Sequence, residues 1–325
     1  MMFSMTARKR AILAMVLTMF VPATVANGQS AADNVRGKAS QVPAGVIHRP
    51  DLTYRKTAKG TLELDIAYPA EGNVPLPAVV ILHGTGHFSK GRKGNVPLAF
   101  ELAQRGYVAV SVSYRHTAAD AYPAAIDDAR AATRWLRINA AQYRIDPKRI
   151  AALGYSGGGA LACLLGMTED AADAMHGSSK VQAVVAYYPP TDFAKLYEEA
   201  VGGANKVGLL GRLVIPGSLK QWLGGTPAEV KERYAAISTV THVHKKMAPL
   251  LLLHGTADGM VPVEQSRLLA DRATAMGASA TFLQLAGADH LFDEKNDPNS
   301  RMASGVVQTF LEDSLKAEKN FVAQK

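Results

Sequence analysis

At 325 residues, with 48% hydrophobic and 20% charged residues and neither a low-complexity tract nor an internal repeat, the chain falls outside the disordered and solenoid classes and can bury a large core. Its net charge of +8 is dispersed, without the aromatic-interleaved basic stripe used to bind nucleic acid, so nucleic acid is excluded as a partner. The single cysteine, Cys163, rules out disulfides within the chain, and there is neither a cysteine cluster nor an H-E-x-x-H pattern for zinc.

In chain order, the first feature is a basic Arg8-Lys9-Arg10, followed by an apolar run from Ala11 to Val21 and a small-residue exit, Pro22 to Ala26. This reads as a secretory signal peptide over residues 1–26. The run is too short for a permanent span, which needs about 20 apolar residues, so no stable membrane span is expected after cleavage. Export without disulfides fits a periplasmic or secreted protein. Residues 27–50 are polar, rich in small side chains and aperiodic, and are expected to form a flexible leader into a domain covering 51–325.

Leu52 to Lys56 and Thr61 to Tyr68 alternate apolar with polar around Ala58-Lys59-Gly60, as a hairpin with one wet face does. Ala78 to Leu82 is apolar at every position, the mark of a parallel strand covered on both sides. Strands and helices then alternate. A helix over Leu98 to Ala103 leads to a strand over Tyr107 to Val112 and a long amphipathic helix over Ala124 to Tyr143. Further strands are expected before Ser156, at Val181 to Tyr188, at Leu250 to Leu253 and at Ala280 to Leu285, with helices at Glu264 to Met276 and Arg301 to Leu315. The alternation predicts an α/β fold, a mostly parallel doubly wound sheet with helices on both faces. One stretch, about 193–240, is too long and too glycine-rich for a strand–helix loop. It reads as a small cap, with short helices near Leu196 to Ala200 and Pro227 to Ala236, over the sheet edge where open α/β sheets bind ligands.

Gly154-Tyr155-Ser156-Gly157-Gly158 sits between an apolar strand and an apolar helix. A G-x-S-x-G turn of this kind lifts a serine oxygen clear of its backbone and sets the next amide, that of Gly157, at a helix N-terminus. A serine hydroxyl is a weak nucleophile and needs a base held in the right tautomer by a carboxylate. Asp258 and His290 each follow a predicted strand, and the order Ser156, Asp258, His290 is the one expected when strand ends converge at one edge. Asp192 is the main rival for the acid, and Asp289 adjoins the base. His83 and His254 precede glycines just after strands, where they support turns. His83-Gly84-Thr85-Gly86 follows the first buried strand, so amides of Thr85, Gly86 and Gly157 are expected to form an oxyanion hole. Gly86 and Gly91 bracket four residues as a P-loop does, but Arg92-Lys93 stands where Lys and Ser/Thr are required. Lys90, Arg92 and Lys93 read either as a solvated loop or as an attractor for an acidic substrate.

Taken together, Leu64-Asp65-Ile66-Ala67-Tyr68-Pro69, His83-Gly84-Thr85-Gly86, Ser113-Tyr114-Arg115, Trp135-Leu136-Arg137, Tyr188-Pro189-Pro190-Thr191-Asp192 and His254-Gly255-Thr256-Ala257-Asp258 resemble the hormonesensitive-lipase-like α/β-hydrolases, most closely the bacterial feruloyl/acetyl esterase (BD-FAE) type. The resemblance implies a cofactor-free serine esterase acting on acetyl, feruloyl or other short acyl esters, whether small molecules or carbohydrate-linked, with Ser156, Asp258 and His290 as its triad. Two positions depart from the family pattern: the usual His-Gly-Gly-Gly is here broken by Thr85, and the usual Ser-Ala-Gly-Gly by Gly157. Two other readings stay open at this point: a serine peptidase of the prolyl-oligopeptidase type, which would lack its usual propeller, and a non-catalytic binding protein on the same fold.

Overall fold

The computed structural model describes residues 41–86, 89–169, 177–203, 206–294 and 298–316, so the expected signal peptide lies outside the described residues. Eight strands form one sheet in the order β1-β2-β4-β3-β5-β6-β7-β8. They are β1 Val46–Thr57, β2 Gly60–Pro69, β3 Leu76–Leu82, β4 Val108–Val112, β5 Ile145–Tyr155, β6 Ala183–Tyr187, β7 Leu250–Gly255 and β8 Ala280–Leu285. β1 and β2 form the expected antiparallel hairpin, β2 also runs antiparallel to β4, and every pairing from β4 onward to β8 is parallel. This is the mostly parallel doubly wound sheet that the alternation predicts.

One boundary is corrected. The leader was expected to reach residue 50, yet β1 begins at Val46, because Val46 to Arg49 pair with Pro69 to Ile66 and the hairpin extends past its own apolar alternation. The helix expected over Ala124 to Tyr143 ends at Ile138, and a separate turn covers Ala140–Tyr143. Asn139 divides them, its side-chain amide donating to the Trp135 carbonyl at 2.8 Å and so competing with the next helical bond.

The helices named here are α1 Val96–Gln104, α2 Ala124–Ile138, α3 Gly157–Met167, α4 Phe193–Val201, α5 Leu209–Leu223, α6 Lys231–Ile237, α7 Glu264–Ala275 and α8 Pro298–Ser314. Ala78 to Leu82 of β3, Ile150 to Gly154 of β5 and all of β4, β6 and β7 are almost wholly withdrawn from water. Val80, Leu82, Val110 and Ala152 belong to one apolar cluster, and Val79, Ile81, Ala109 and Leu153 to the other. Successive strand residues thus feed opposite faces, and each large aliphatic side chain so buried contributes about 1.5–3 kcal/mol. α3 is buried at all of its residues, as a helix apolar all round must be.

The chain runs from β3 outward to β4, then crosses back to β5 on β3's other side. The crevice between β3 and β5 is therefore the point where strand order reverses, the place where open α/β sheets hold ligands. Register aligns the strand ends there: Leu82 lies opposite Gly154, Tyr155 opposite Tyr187, and Gly255 opposite Leu285. Each residue singled out in the sequence follows one of these ends.

Candidate active site

The turn at Ser156 is built by contacts that only glycine allows. A Cβ on Gly154 would lie 2.1 Å from the Gly158 carbonyl oxygen, and a Cβ on Gly158 would lie 2.2 Å from that of His83. Strand end, helix start and the loop after β3 are thus pressed backbone to backbone. Ser156 sits between them at φ 51°, ψ −123°, a conformation that costs on the order of 1–3 kcal/mol and persists only where the surroundings enforce it. Its amide donates to the Tyr187 carbonyl at 2.9 Å. Gly157 opens α3, so its N–H is one of the helix's free initial donors.

Asp258 and His290, 32 residues apart, meet above β7 and β8: Asp258 Oδ2 is 2.7 Å from His290 Nδ1. Facing a carboxylate, Nδ1 carries the proton and Nε2 is left as the basic nitrogen. The other oxygen of Asp258 accepts the amides of Met260 at 2.9 Å and Val261 at 2.8 Å. Burial alone would raise the Asp258 carboxyl, but hydrogen bonds from His254 and His290 outweigh it and hold the group well below the usual carboxylate range. His254 is wholly buried, with Nε2 at 2.8 Å from the Val261 carbonyl and 3.2 Å from Asp258 Oδ2, and Nδ1 at 2.7 Å from Ser266 Oγ. Nε2 faces only acceptors and so carries the proton, while Nδ1 accepts from the serine. His254 supports the Asp258 turn, as its position in the sequence suggests.

The rival acids are engaged elsewhere. Asp192 caps α4 by accepting the Lys195 amide at 3.0 Å. Asp289 Oδ1 accepts the amides of His290 at 2.7 Å and Gly259 at 3.2 Å, bracing the loop that carries the base. Among the other described histidines, His116, His242 and His244 are held by the carbonyls of Tyr114, Ala236 and Met167. His87 and His176 lie outside the described residues.

Ser156 and His290 together line two cavities. One, of about 580 Å³, is a broad cleft reached by Gly86, Lys90, Glu101, Asp293 and Arg301. The other, of about 70 Å³, holds Thr85, Gly86 and Gly157 against the apolar side chains of Phe193, Leu196, Leu219 and Trp222 from α4 and α5. The stretch read as a cap therefore supplies one wall beside Ser156. Thr85, Gly86 and Gly157, the candidate amide donors, line the same cavity across from that wall.

Two parts of the site escape the sequence reading. Tyr188, buried and at φ 39°, sets its ring 4.3 Å from that of His290, and its hydroxyl bonds Asp293. Its place at the end of β6 is the only signal that could have revealed it. The second concerns Arg92 and Lys93, which line neither cavity and are engaged by carboxylates. Arg92 bonds Asp65, Asp51 at 2.8 Å and Glu63 at 2.7 Å, and Lys93 Nζ lies 2.7 Å from Asp51 and 2.9 Å from Asp65. They clamp the helical turn Gly91–Gly94 to β1 and β2. Among the described residues no group of His, Cys, Asp and Glu is arranged to hold a metal ion, and no helix is long and apolar enough to cross a membrane.

The BD-FAE family model matches residues 64–273. The probable carboxylic ester hydrolase LipM of Mycobacterium tuberculosis is 28% identical over 242 residues, 72% of this chain and 54% of its own length. Esterase LipC of the same organism is 28% identical over 258 residues, 77% of this chain and 61% of its own. The chain thus spans little more than half the length of these curated relatives. Among solved structures, Thermogutta terrifontis esterase 2 phosphoramylated by tabun superposes with a TM-score of 0.66 at 27% identity, covering 86% of this chain and 98% of that one.

Proposed function

The chain belongs to the BD-FAE family of α/β-hydrolases, and on that premise we propose that it is an exported serine carboxylic ester hydrolase for short acyl groups on bulky, polar alcohols, carbohydrate hydroxyls included. The observation that carries this reading is the pair of unequal cavities meeting at Ser156 and His290. The smaller, about 70 Å³, has room on the order of two water volumes and an apolar lining that suits a chain of a few carbons. The larger cleft, lined by polar as well as apolar groups, suits the alcohol half, which must leave toward solvent.

In this mechanism Ser156 Oγ attacks the acyl carbon and its proton passes to His290 Nε2, while Asp258 steadies the imidazolium through Nδ1. The carbonyl oxygen, now an anion, is held by amides of Thr85, Gly86 and Gly157. Collapse breaks the carbon–oxygen bond to the alcohol, which leaves with the proton from His290. Water, deprotonated by the same nitrogen, then cleaves the acyl-serine to release the acid and restore Ser156. The depressed Asp258 carboxyl keeps that group ionised throughout the working range. The esterase names of the relatives and the organophosphate adduct of the Thermogutta enzyme support the same chemistry.

A p-nitrophenyl ester series from acetyl to octanoyl, with a feruloyl ester and acetylated xylan alongside, tests the assignment. Acetyl to butyryl esters are expected to be turned over at least tenfold faster in kcat/KM than octanoyl or feruloyl, with acetate released from the xylan. Preference for octanoyl or feruloyl would contradict the assignment of the small cavity to the acyl group. Export is tested by N-terminal sequencing of protein from a periplasmic fraction, where a start near residue 27 is expected and an intact Met1 would count against a cleaved signal.

A further inference from the structure

The two positions that depart from the family pattern lie against each other. A Cβ built on Gly157 would stand 2.2 Å from Thr85 Oγ1, 3.0 Å from its Cγ2 and 3.1 Å from its Cβ. The threonine side chain therefore occupies the volume that a side chain at 157 would need, so Thr85 is tolerable only beside a glycine at 157. Oγ1 is the nearest of the three atoms, so the hydroxyl rather than the methyl is turned toward Gly157. That residue opens α3 with its N–H free.

The surroundings give the hydroxyl nothing else to do. Thr85 shares the small cavity with Ser156 and His290, and the rest of that lining is mostly apolar. Among the described residues Oγ1 makes no hydrogen bond. A hydroxyl rotates freely and can follow a charge as it develops, and a donor in a water-poor site is worth far more than one in solution.

We propose that the Thr85 hydroxyl is a side-chain donor to the oxyanion, acting with the Gly157 amide, and that residue 157 is glycine in order to admit it. This rests on the ester-hydrolase reading above. In that role the hydroxyl touches the reacting oxygen only as charge forms there, so its loss falls on kcat and spares KM.

The test compares Thr85→Val, which keeps the shape and removes the hydroxyl, with Thr85→Ser, which keeps the hydroxyl. On p-nitrophenyl acetate, Thr85→Val is expected to lose about 10- to 100-fold in kcat with KM within about twofold, and Thr85→Ser to retain most of the rate. Inhibition by a trifluoromethyl ketone, which forms a charged tetrahedral adduct, is expected to weaken in Thr85→Val by a similar factor. A Thr85→Val enzyme as fast and as inhibitable as the parent would overturn the donor role. Gly157→Ala alone is expected to unfold or lose its rate, and Thr85→Gly with Gly157→Ala to refold by circular dichroism while remaining slow. A stable, active Gly157→Ala single variant would overturn the coupling. Ser156→Ala in the same assay separates the two levels: turnover that survives it defeats the hydrolase reading and this proposal together, whereas turnover that vanishes in Ser156→Ala but not in Thr85→Val defeats only the proposal.

Discussion

Asp258 Oδ2 is shared by two imidazoles, lying 2.7 Å from His290 Nδ1 and 3.2 Å from His254 Nε2. The carboxylate is therefore committed from both sides as well as by two backbone amides, and only its charged form satisfies all four donors. Replacing it with Asn offers an N–H to nitrogens that already carry protons. Asp258→Asn is expected to lower kcat by about 10⁴-fold by favouring the wrong His290 tautomer, read from steady-state kinetics.

The same residue has a pH signature. Its carboxyl is depressed in the fold, so the unfolded chain binds a proton first as acid is added, near 3.8. The stabilisation is complete above that value and is lost as pH falls below it toward the folded value. Urea unfolding of parent and Asp258→Asn should show a stability gap that is level between about pH 7 and pH 5 and shrinks by about pH 3. A gap that stays constant would mean the hydrogen bonds from His254 and His290 do not favour the ionised form.

His83 predicts a slope in a different window. Burial pushes its imidazole down to about 4 from 6.5, against the hydrogen bond with the Gly84 carbonyl. Here again the unfolded chain takes up the proton first, so stability is full above pH 6.5 and declines as pH falls toward 4, by up to about 3 kcal/mol. His83→Asn should flatten that part of the stability curve relative to the parent. Because His83 also stacks on Tyr114 at 4.3 Å, the variant's stability at pH 7 is expected to drop as well, and it is the slope that reports the titration.

The cluster around Asp65 predicts stability rather than affinity. Asp65 is 1% exposed and relies on Arg92 and Lys93 for neutralisation. Arg92→Met leaves a buried carboxylate short of a partner, a change that typically costs about 3–5 kcal/mol. Denaturation should show that loss, with KM for a neutral ester and for a succinyl monoester changing in parallel. A rise in KM confined to the anionic ester would instead restore Arg92 as a substrate attractor.

What was legible in the sequence followed strong local signals. β3 and the Ile150 to Leu153 part of β5 are unbroken apolar runs, and the glycines at 154 and 158 are fixed by backbone contacts that leave no other residue type. The pairing of Asp258 with His290 could be read because both close parallel strands at one edge of the sheet. Harder to read was α5, Leu209–Leu223, which carries Gly211, Pro216 and Gly217 and lacks a polar face. Its helix is sustained by tertiary contacts, with Ile215, Leu219 and Trp222 buried, and no local pattern announces it. Nor could the sequence reveal that Thr85 and Gly157 are complementary, since 72 positions separate them. Arg92 and Lys93 were ambiguous for a similar reason: their partners Asp51, Glu63 and Asp65 lie on the first two strands.

The central claim is that Ser156 is the nucleophile. Treating the folded protein with paraoxon, digesting it and locating the added diethylphosphoryl group by mass spectrometry tests this directly, with p-nitrophenyl acetate turnover followed in parallel. One adduct per chain on Ser156, formed at the rate at which turnover disappears and absent from Ser156→Ala, is the expected result. Turnover that persists in the fully modified protein, or in Ser156→Ala, would contradict it.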